Sequence, residues 1–330
     1  MKIILSGVKP TGIPTLGNYL GALRNFGKFQ EKMKDYEFFI FVADLHAITT
    51  PQDPLELKQN IRNVAALYLA CGLKPENLTL FIQSEVHEHA EMAYIMQALV
   101  YMGELERMTQ YKDKVLKQTQ GVSSALFTYP ALMAADILLY DAKFVPVGDD
   151  QRQHLELARD LAIRFNNRFG KTFTVPEGLI QEKGARIKDL QDPTKKMDKS
   201  TDNDRGCIFL LEPLSQIRKK IKAAVTDSDA CVRFDPEQKP GIANLMTIYS
   251  VITEKSFGEI EAMYDGKGYG DFKSDLAEIV VKEIAMIQER YHYFVSSQEL
   301  TTLLDEGRLR AHQLAQKKLK TVYQKMGLGR

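Results

Sequence analysis

Short unbroken apolar runs alternate, in the first half of the chain, with stretches where apolar residues return every three or four positions. The runs Ile3-Ile4-Leu5, Glu37 to Ala43, Leu78 to Gln83 and Phe144 to Val147 suit strands buried on both faces, and Thr172 to Val175 is a further candidate. Between them lie helical spacings. Leu16, Leu20, Leu23 and Phe26 make the first set, and Leu57, Ile61, Val64 and Leu67 the second, within a helix from about Pro54 to Cys71 that Gly72 closes. Ala90 to Met108 continues the pattern, and in Phe127 to Tyr140 Pro130 fits the first turn of a helix. Leu155, Ala158, Leu161 and Phe165 form the last stripe of this half. Such alternation predicts an α/β protein with a doubly wound parallel sheet. From about Ser215 the strand signals stop. Leu214, Ile217, Ile221 and Val225 are helically spaced, and long helices are expected over about Asp271 to Phe294 and Gln298 to Met326.

Ligands of open α/β sheets collect where strands end, so the strand-end residues are the candidates for chemistry. Ser6-Gly7 ends the first run, and Pro10-Thr11-Gly12 is turn chemistry. A helix then opens near Gly17-Asn18, where backbone N–H groups can approach an anion. His46 follows the second run and is either structural or functional. Asp136 is flanked by Ala134, Ala135, Ile137, Leu138 and Leu139, and it shares one helical face with Tyr129 and Met133. A carboxylate so placed is costly to bury unless something donates to it. Gly148-Asp149-Asp150-Gln151 follows the fourth run; its acids either meet ribose hydroxyls or a magnesium ion, or complement a helix N-terminus.

Two charged segments remain. Tyr111 to Val122 reads as a solvated polar loop with Lys112, Lys114 and Lys117, one of which can lie near a site. Lys183 to Gly206 reads as an exposed mobile loop centred on Asp192-Pro-Thr-Lys-Lys-Met-Asp-Lys-Ser200. There Lys196, Lys199 and Ser200 place two ammonium groups and a hydroxyl where they can close over a polyphosphate. The net charge is +1 from 44 basic and 43 acidic residues, so nucleic-acid contact needs local patches. The tail from Glu306 supplies Arg308, Arg310, Lys317, Lys318, Lys320, Lys325 and Arg330, either for nucleic-acid phosphates or as solvated faces. Cys71, Cys207 and Cys231 form no CxxC pair, which fits a reducing cytoplasm better than a zinc or disulfide framework. No long apolar run suggests a leader or a membrane span.

Lys195-Lys-Met-Asp-Lys-Ser200 contains a pentapeptide that resembles the KMSKS signature of class I aminoacyl-tRNA synthetases, and Pro14-Thr-Leu-Gly-Asn18 resembles the partner HIGH signature in the T-x-G-N form of bacterial tryptophanyl-tRNA synthetases. The likeness continues through His46-Ala-Ile-Thr49, Phe81-Ile-Gln-Ser-Glu85, Gly103 to Gln110, Thr128-Tyr-Pro130, Leu132 to Tyr140, Val145 to Gly148, Ala224 to Ser228, Lys239-Pro-Gly241, Gly266 to Gly270 and Met326 to Arg330. Two signatures in the right order, with the motifs between them, carry more weight than either pentapeptide.

The resemblance implies a Rossmann-like (HUP-type) catalytic domain with a helical insertion at 1–187, and a KMDKS loop with an all-α anticodon-recognition domain at 188–296. The final helix, about 297–330, would pack back on the catalytic domain. It implies activation of L-tryptophan by ATP, then transfer to tRNA(Trp). Lys196, Lys199, Ser200 and Lys114 would serve catalysis. Lys9, Thr15, Gly17, Asn18, Gly148, Asp149, Asp150, Gln151 and Met197 would line the ATP site together with the loop lysines. Leu5, Gly7, His46, Tyr129, Met133, Asp136, Val145, Val147 and Gln151 would hold tryptophan, with Asp136 accepting the indole N–H. Mg²⁺ would sit mainly on the ATP phosphates with no protein ligand. A cytoplasmic homodimer, joined through the helical insertion, is implied, without membrane or DNA partners. Lys9, Leu5, Asp149 and Asp198 depart from the residues usual in relatives. A tyrosyl-tRNA synthetase is the nearest rival, and a non-catalytic synthetase-like RNA-binding protein is another.

Overall fold

The computed structural model describes residues 2–116, 121–148, 151–179, 186–197 and 204–330. Among these, strands β1 (Lys2–Val8), β2 (Tyr36–Val42), β3 (Leu78–Ile82), β4 (Phe144–Pro146) and β5 (Glu177–Leu179) form one parallel sheet in the order β3-β2-β1-β4-β5. The chain runs outward from β1 to β3, then returns to build β4 and β5 on the other side of β1. That reversal opens a crevice at the C-terminal ends of β1 and β4.

Helices α1 (Leu16–Asn18), α2 (Arg24–Lys32), α3 (Asp44–Ala47), α4 (Pro54–Ala70), α5 (Glu88–Leu99), α6 (Met102–Glu106), α7 (Thr109–Val115), α8 (Ser124–Leu139) and α9 (Arg152–Phe169) fill the connections between strands. After the sheet come α10 (Leu214–Lys222), α11 (Pro240–Thr253), α12 (Phe257–Met263), α13 (Tyr269–Ser296) and α14 (Gln298–Met326). Residues alternate between the two covered faces of the sheet. Ile4, Phe38, Ile40 and Leu80 pack on one side, in a core continuous with α4, α11 and α13. Ile3, Leu5, Phe39, Phe41 and Phe81 pack on the other, with α5, α8, α9 and the Ala311, Ala315, Leu319 and Val322 stripe of α14.

Several local expectations change, each for a physical reason. Thr172 to Val175 is not a strand. The Asn166 side chain accepts from the N–H groups of Thr172 and Phe173 at 2.8 and 2.9 Å, and Asp141 accepts from Thr174 at 3.0 Å. Those backbone groups are therefore lost to a ladder, and the fifth strand begins instead at Glu177. The helical pattern from Ala90 to Met108 breaks at Val100-Tyr101, where Arg164 donates to the Leu99 carbonyl at 2.8 Å and Glu104 accepts from the Tyr101 N–H at 2.8 Å. Tyr111 to Val115 is helical, as part of α7, rather than a loop. Pro130 lies inside α8, because Ser123 caps that helix earlier by accepting from the Leu126 N–H at 3.2 Å.

The charged segment around Asp192 is not an exposed loop over its described part. Ile187, Leu190 and Met197 are buried, and Met197 and Asp189 bond back to Ile187 and Lys195 across a tight antiparallel turn. Asp198, Lys199 and Ser200, like Lys117 and the pair Asp149-Asp150, lie outside the described residues. Helices α11 and α12 had no counterpart in the periodicity. The first eight residues of α11 after Pro240 are buried on nearly every side, which erases the 3.6-residue stripe. For α12 a local signal existed: Ser256 and Glu259 form a capping box.

Candidate functional site

At the crevice lies a cavity of about 450 Å³, within the usual ~300–1,000 Å³ of small-molecule sites. Strand ends supply Leu5, Gly7, Val145 and Val147; α8 supplies Tyr129, Met133 and Asp136; Lys9, His46, Lys114 and Gln151 complete the set of expected residues. Helical spacing aims the three α8 residues the same way, as the sequence pattern required. Sequence reasoning passed over Phe41, Ala43 and Gln110, which also line the cavity. Phe41 was hidden within an apolar strand run. Gly7 matters beside it: a Cβ there would lie 2.5 Å from Phe41 Cζ, so a larger residue would displace the ring.

Asp136 forms the polar point of an otherwise largely apolar wall. It is 1% exposed. Its Oδ2 faces His46 Nε2 at 2.8 Å, while its Oδ1 faces His89 Nδ1 at 2.6 Å and accepts from Gln83 Nε2 at 2.7 Å. Burial opposes the charged carboxylate, but the hydrogen bonds from His46 and His89 and their charges outweigh it and hold the carboxyl below its usual range. An ionised carboxylate only accepts, so both facing imidazole nitrogens carry protons. His89 Nε2 then faces the Tyr140 hydroxyl at 2.7 Å; burial pushes that phenol well up, so it stays protonated. Gln83 and His89 were also missed: Gln83 follows the end of β3 and His89 lies in the first turn of α5, within a polar stretch that gives no sign of their burial. With four acceptor directions and three donors in place, the carboxylate keeps one direction on Oδ2.

Around this floor the other polar groups are oriented. Tyr129 OH lies 2.7 Å from His154 Nε2, and its phenol is raised by burial. Lys114 Nζ stands 4.1 Å over the Tyr129 ring, and Lys9 Nζ donates to the His46 carbonyl at 2.8 Å.

Thr15, Gly17, Asn18 and Met197 gather at a second place, outside the cavity lining. Thr15 caps α1: its Oγ1 accepts from the Asn18 N–H at 3.2 Å, and Asn18 Oδ1 accepts from the Thr15 N–H at 3.0 Å. The T-x-G-N string is thus a capping box, and a π turn (Tyr19–Leu23) carries it into α2. Leu16 N–H bonds to Ile208 O at 2.8 Å and Leu210 N–H to Pro14 O at 3.0 Å, joining this turn to the segment beyond the KMDKS stretch. A Cβ on Gly17 would come within 3.2 Å of Met197 Cβ and 3.3 Å of its carbonyl oxygen. Met197 is itself fully buried, while Lys196 beside it is exposed. Gly148 is exposed just past β4.

Residues 1–285 match the family model described as tRNA synthetases class I (W and Y). The chain is 57% identical over 329 residues to the tryptophan–tRNA ligase of Listeria monocytogenes, covering 100% of this chain and 98% of that protein. Among solved structures it is similar to the tryptophanyl-tRNA synthetase of Mycoplasma pneumoniae, at 39% identity and a TM-score of 0.87 over 100% of this chain and 98% of that one. The Campylobacter jejuni enzyme, solved with ADP and tryptophan, is similar at 37% identity and the same TM-score of 0.87, over 99% of this chain and 100% of that one.

Proposed function

Because the chain belongs to the class I tRNA synthetases, in their tryptophan–tRNA ligase branch, we propose that the β1/β4 cavity holds the tryptophan side chain and that the junction of the two signatures holds ATP. The chain activates tryptophan with ATP and transfers the tryptophanyl group to tRNA. In the first step a carboxylate oxygen of tryptophan attacks the α-phosphorus and pyrophosphate leaves. In the second a terminal ribose hydroxyl of the tRNA attacks the acyl carbon and AMP leaves. Neither step needs a protein nucleophile, so positioning and charge stabilisation are the protein's contribution.

The observation that carries the residue assignments is the buried Asp136 carboxylate with three donors and one acceptor direction to spare. Indole N–H is a donor only, and it is the complement of that direction. Leu5, Gly7, Tyr129, Met133, Val145 and Val147 enclose the ring with His46 close by, and Gln151 completes the contacts to the amino acid. An analogue without the N–H leaves a buried acceptor unpaired and is rejected for that reason.

Thr15 and Asn18 are already bonded to each other, which fixes the Asn18 amide nitrogen as the group to offer the nucleotide. Gly17 allows the two signatures to touch through Met197, whose role is to seat the loop. Gly148, Asp149, Asp150 and Gln151 would serve the ribose, with Lys9 between the nucleotide and the amino acid. Lys196, Lys199 and Ser200, with Lys114 from α7, take the negative charge of the departing pyrophosphate. Asp136 is the one carboxylate among the described cavity residues and its one spare acceptor direction is assigned to the indole N–H, so Mg²⁺ would enter on the nucleotide phosphates.

We place the division between catalytic and anticodon-recognition parts at about 187–188, with α14 returning to the catalytic side. Lys318 bonds to Thr172 O at 2.7 Å and pairs with Asp141 at 2.6 Å, and Arg310 pairs with Glu37, so tRNA contacts fall to the exposed Lys317, Lys320 and Lys325 instead. Exposed Tyr94, Tyr101 and Met102 on the helical insertion support a homodimer through that face. Cys71, Cys207 and Cys231 form no disulfide among the described residues, which suits the cytoplasm; among the described residues no helix is long and apolar enough to cross a membrane.

Amino-acid-dependent ATP–pyrophosphate exchange, run with tryptophan and with tyrosine, tests the pocket assignment. Exchange with tryptophan alone is expected. Exchange with tyrosine alone would overturn the reading of the Asp136 pocket.

A further inference from the structure

Away from the cavity, three side chains from two helices converge. His87 precedes α5, Glu88 is its first residue, and His312 lies on α14; one potential ligand atom from each falls within 4.8 Å of the others. Glu88 is 1% exposed, and neither of its carboxylate oxygens has a hydrogen-bond partner among the described residues. Yet Glu88 Oε1 lies 2.7 Å from His312 Nδ1 and 3.5 Å from His87 Nε2. The short approach is misdirected for a hydrogen bond. It suits atoms that point toward a shared centre. A buried carboxylate without directed donors is expensive to keep.

The donor set narrows what would satisfy it. Two imidazoles and a carboxylate suit zinc and similar borderline divalent ions better than magnesium or calcium, which prefer oxygen alone. Metal–nitrogen bonds of ~2.0–2.1 Å put neighbouring ligand atoms about 3.3 Å apart around a tetrahedral centre. The His87–Glu88 separation already meets that value, and an ion would open the Glu88–His312 gap by roughly half an ångström. Glu91, one turn along α5, has Oε1 3.6 Å from His87 Nε2 but is not one of the three converging ligands; its other oxygen accepts from Tyr323 of α14 at 3.2 Å.

We propose that His87 Nε2, Glu88 Oε1 and His312 Nδ1 form a binding site for a divalent transition-metal ion of the zinc class that ties α14 to the start of α5. The site is structural. It stands apart from the proposed tryptophan and ATP contacts, although Glu88 is followed in sequence by His89, a donor to Asp136.

The test uses the full chain, stripped with EDTA and dialysed, then titrated with Zn²⁺ by calorimetry and with Co²⁺ by visible absorption. One equivalent per chain is expected, with the Co²⁺ spectrum of a low-coordinate N/O site. His87→Ala and His312→Ala should each weaken binding at least about tenfold, and Zn²⁺ should raise the melting temperature of the parent but of neither variant. His87 has an exposed side chain, so His87→Ala should melt with the parent in EDTA and decides the matter if His312→Ala is itself destabilised. Absence of saturable one-to-one binding, or an affinity unchanged within about twofold in His87→Ala, would overturn the site and leave a plain imidazole–carboxylate pair.

Discussion

The floor of the cavity and the junction of the two signatures are built on opposite plans. At the floor, Asp136, Gln83, His89 and Tyr140 are buried and joined in one hydrogen-bonded chain, so a ligand meets groups already aimed. At the junction, Thr15 to Asn18 meet Met197 from a remote part of the chain, with an exposed lysine alongside. A preset floor is suited to telling one ring from another. A joint between distant segments is suited to a group that must be gripped while its charge redistributes and then released. Recognition and turnover should therefore fail separately when each region is altered.

The widest separation is expected from Lys199→Ala. Adenylate formation should fall by about 10²–10³-fold in a single-turnover assay, with tryptophan affinity nearly unchanged; equal losses in both would end its assignment to the pyrophosphate. Asp136→Asn works from the other side. Tryptophan affinity should drop ~10–100-fold while ATP affinity holds, and discrimination against N-methyl-indole analogues should shrink. Calorimetry with both ligands reads this, and full retention of that discrimination would remove the Asp136 contact.

Gly17→Ala is a milder probe. Its methyl group must push Met197 by a few tenths of an ångström, so we expect about a three- to tenfold loss in kcat/KM for ATP and no change in tryptophan binding. A loss confined to tryptophan would show that the two regions are not separate.

The smallest effect is expected from pH. The Asp136 carboxyl is held below its ordinary value. Its charged form, with the binding and stability that depend on it, is complete above the ordinary carboxylate range near pH ~4. It is lost only as pH falls through the lower folded value. Tryptophan affinity should thus vary less than about twofold from pH 8 to about 5; a steep fall in that window would mean the carboxylate is not held by its donors.

What could be read in the chain differs between the two regions for the same reason. Tyr129, Met133 and Asp136 declare a shared face through helix geometry, and an acid among alanines and leucines declares that something must answer it. The answering groups, His89 and Gln83, come from another helix and strand end, and only folding brings them near. Met197 looked like part of an exposed loop because lysines surround it; its burial depends on helices far along the chain. α11 was missed because burial on nearly all sides leaves no polar stripe to mark a period, and the fifth strand was displaced because side chains of Asn166 and Asp141 took its backbone groups.

Gly307 has one more implication. Its missing side chain lets α14 lie directly on β3, where a Cβ would sit 1.9 Å from the Leu80 carbonyl oxygen. β3 is an outermost strand of the sheet. Such a margin, left bare, is a template for pairing with another chain. On the ribosome β3 emerges more than two hundred residues before α14 (Leu78 against Gln298), so the newborn protein passes through a sticky interval that ends when α14 settles. A bulky residue at 307 would lengthen that interval, and its first symptom would be insoluble protein rather than a slower enzyme.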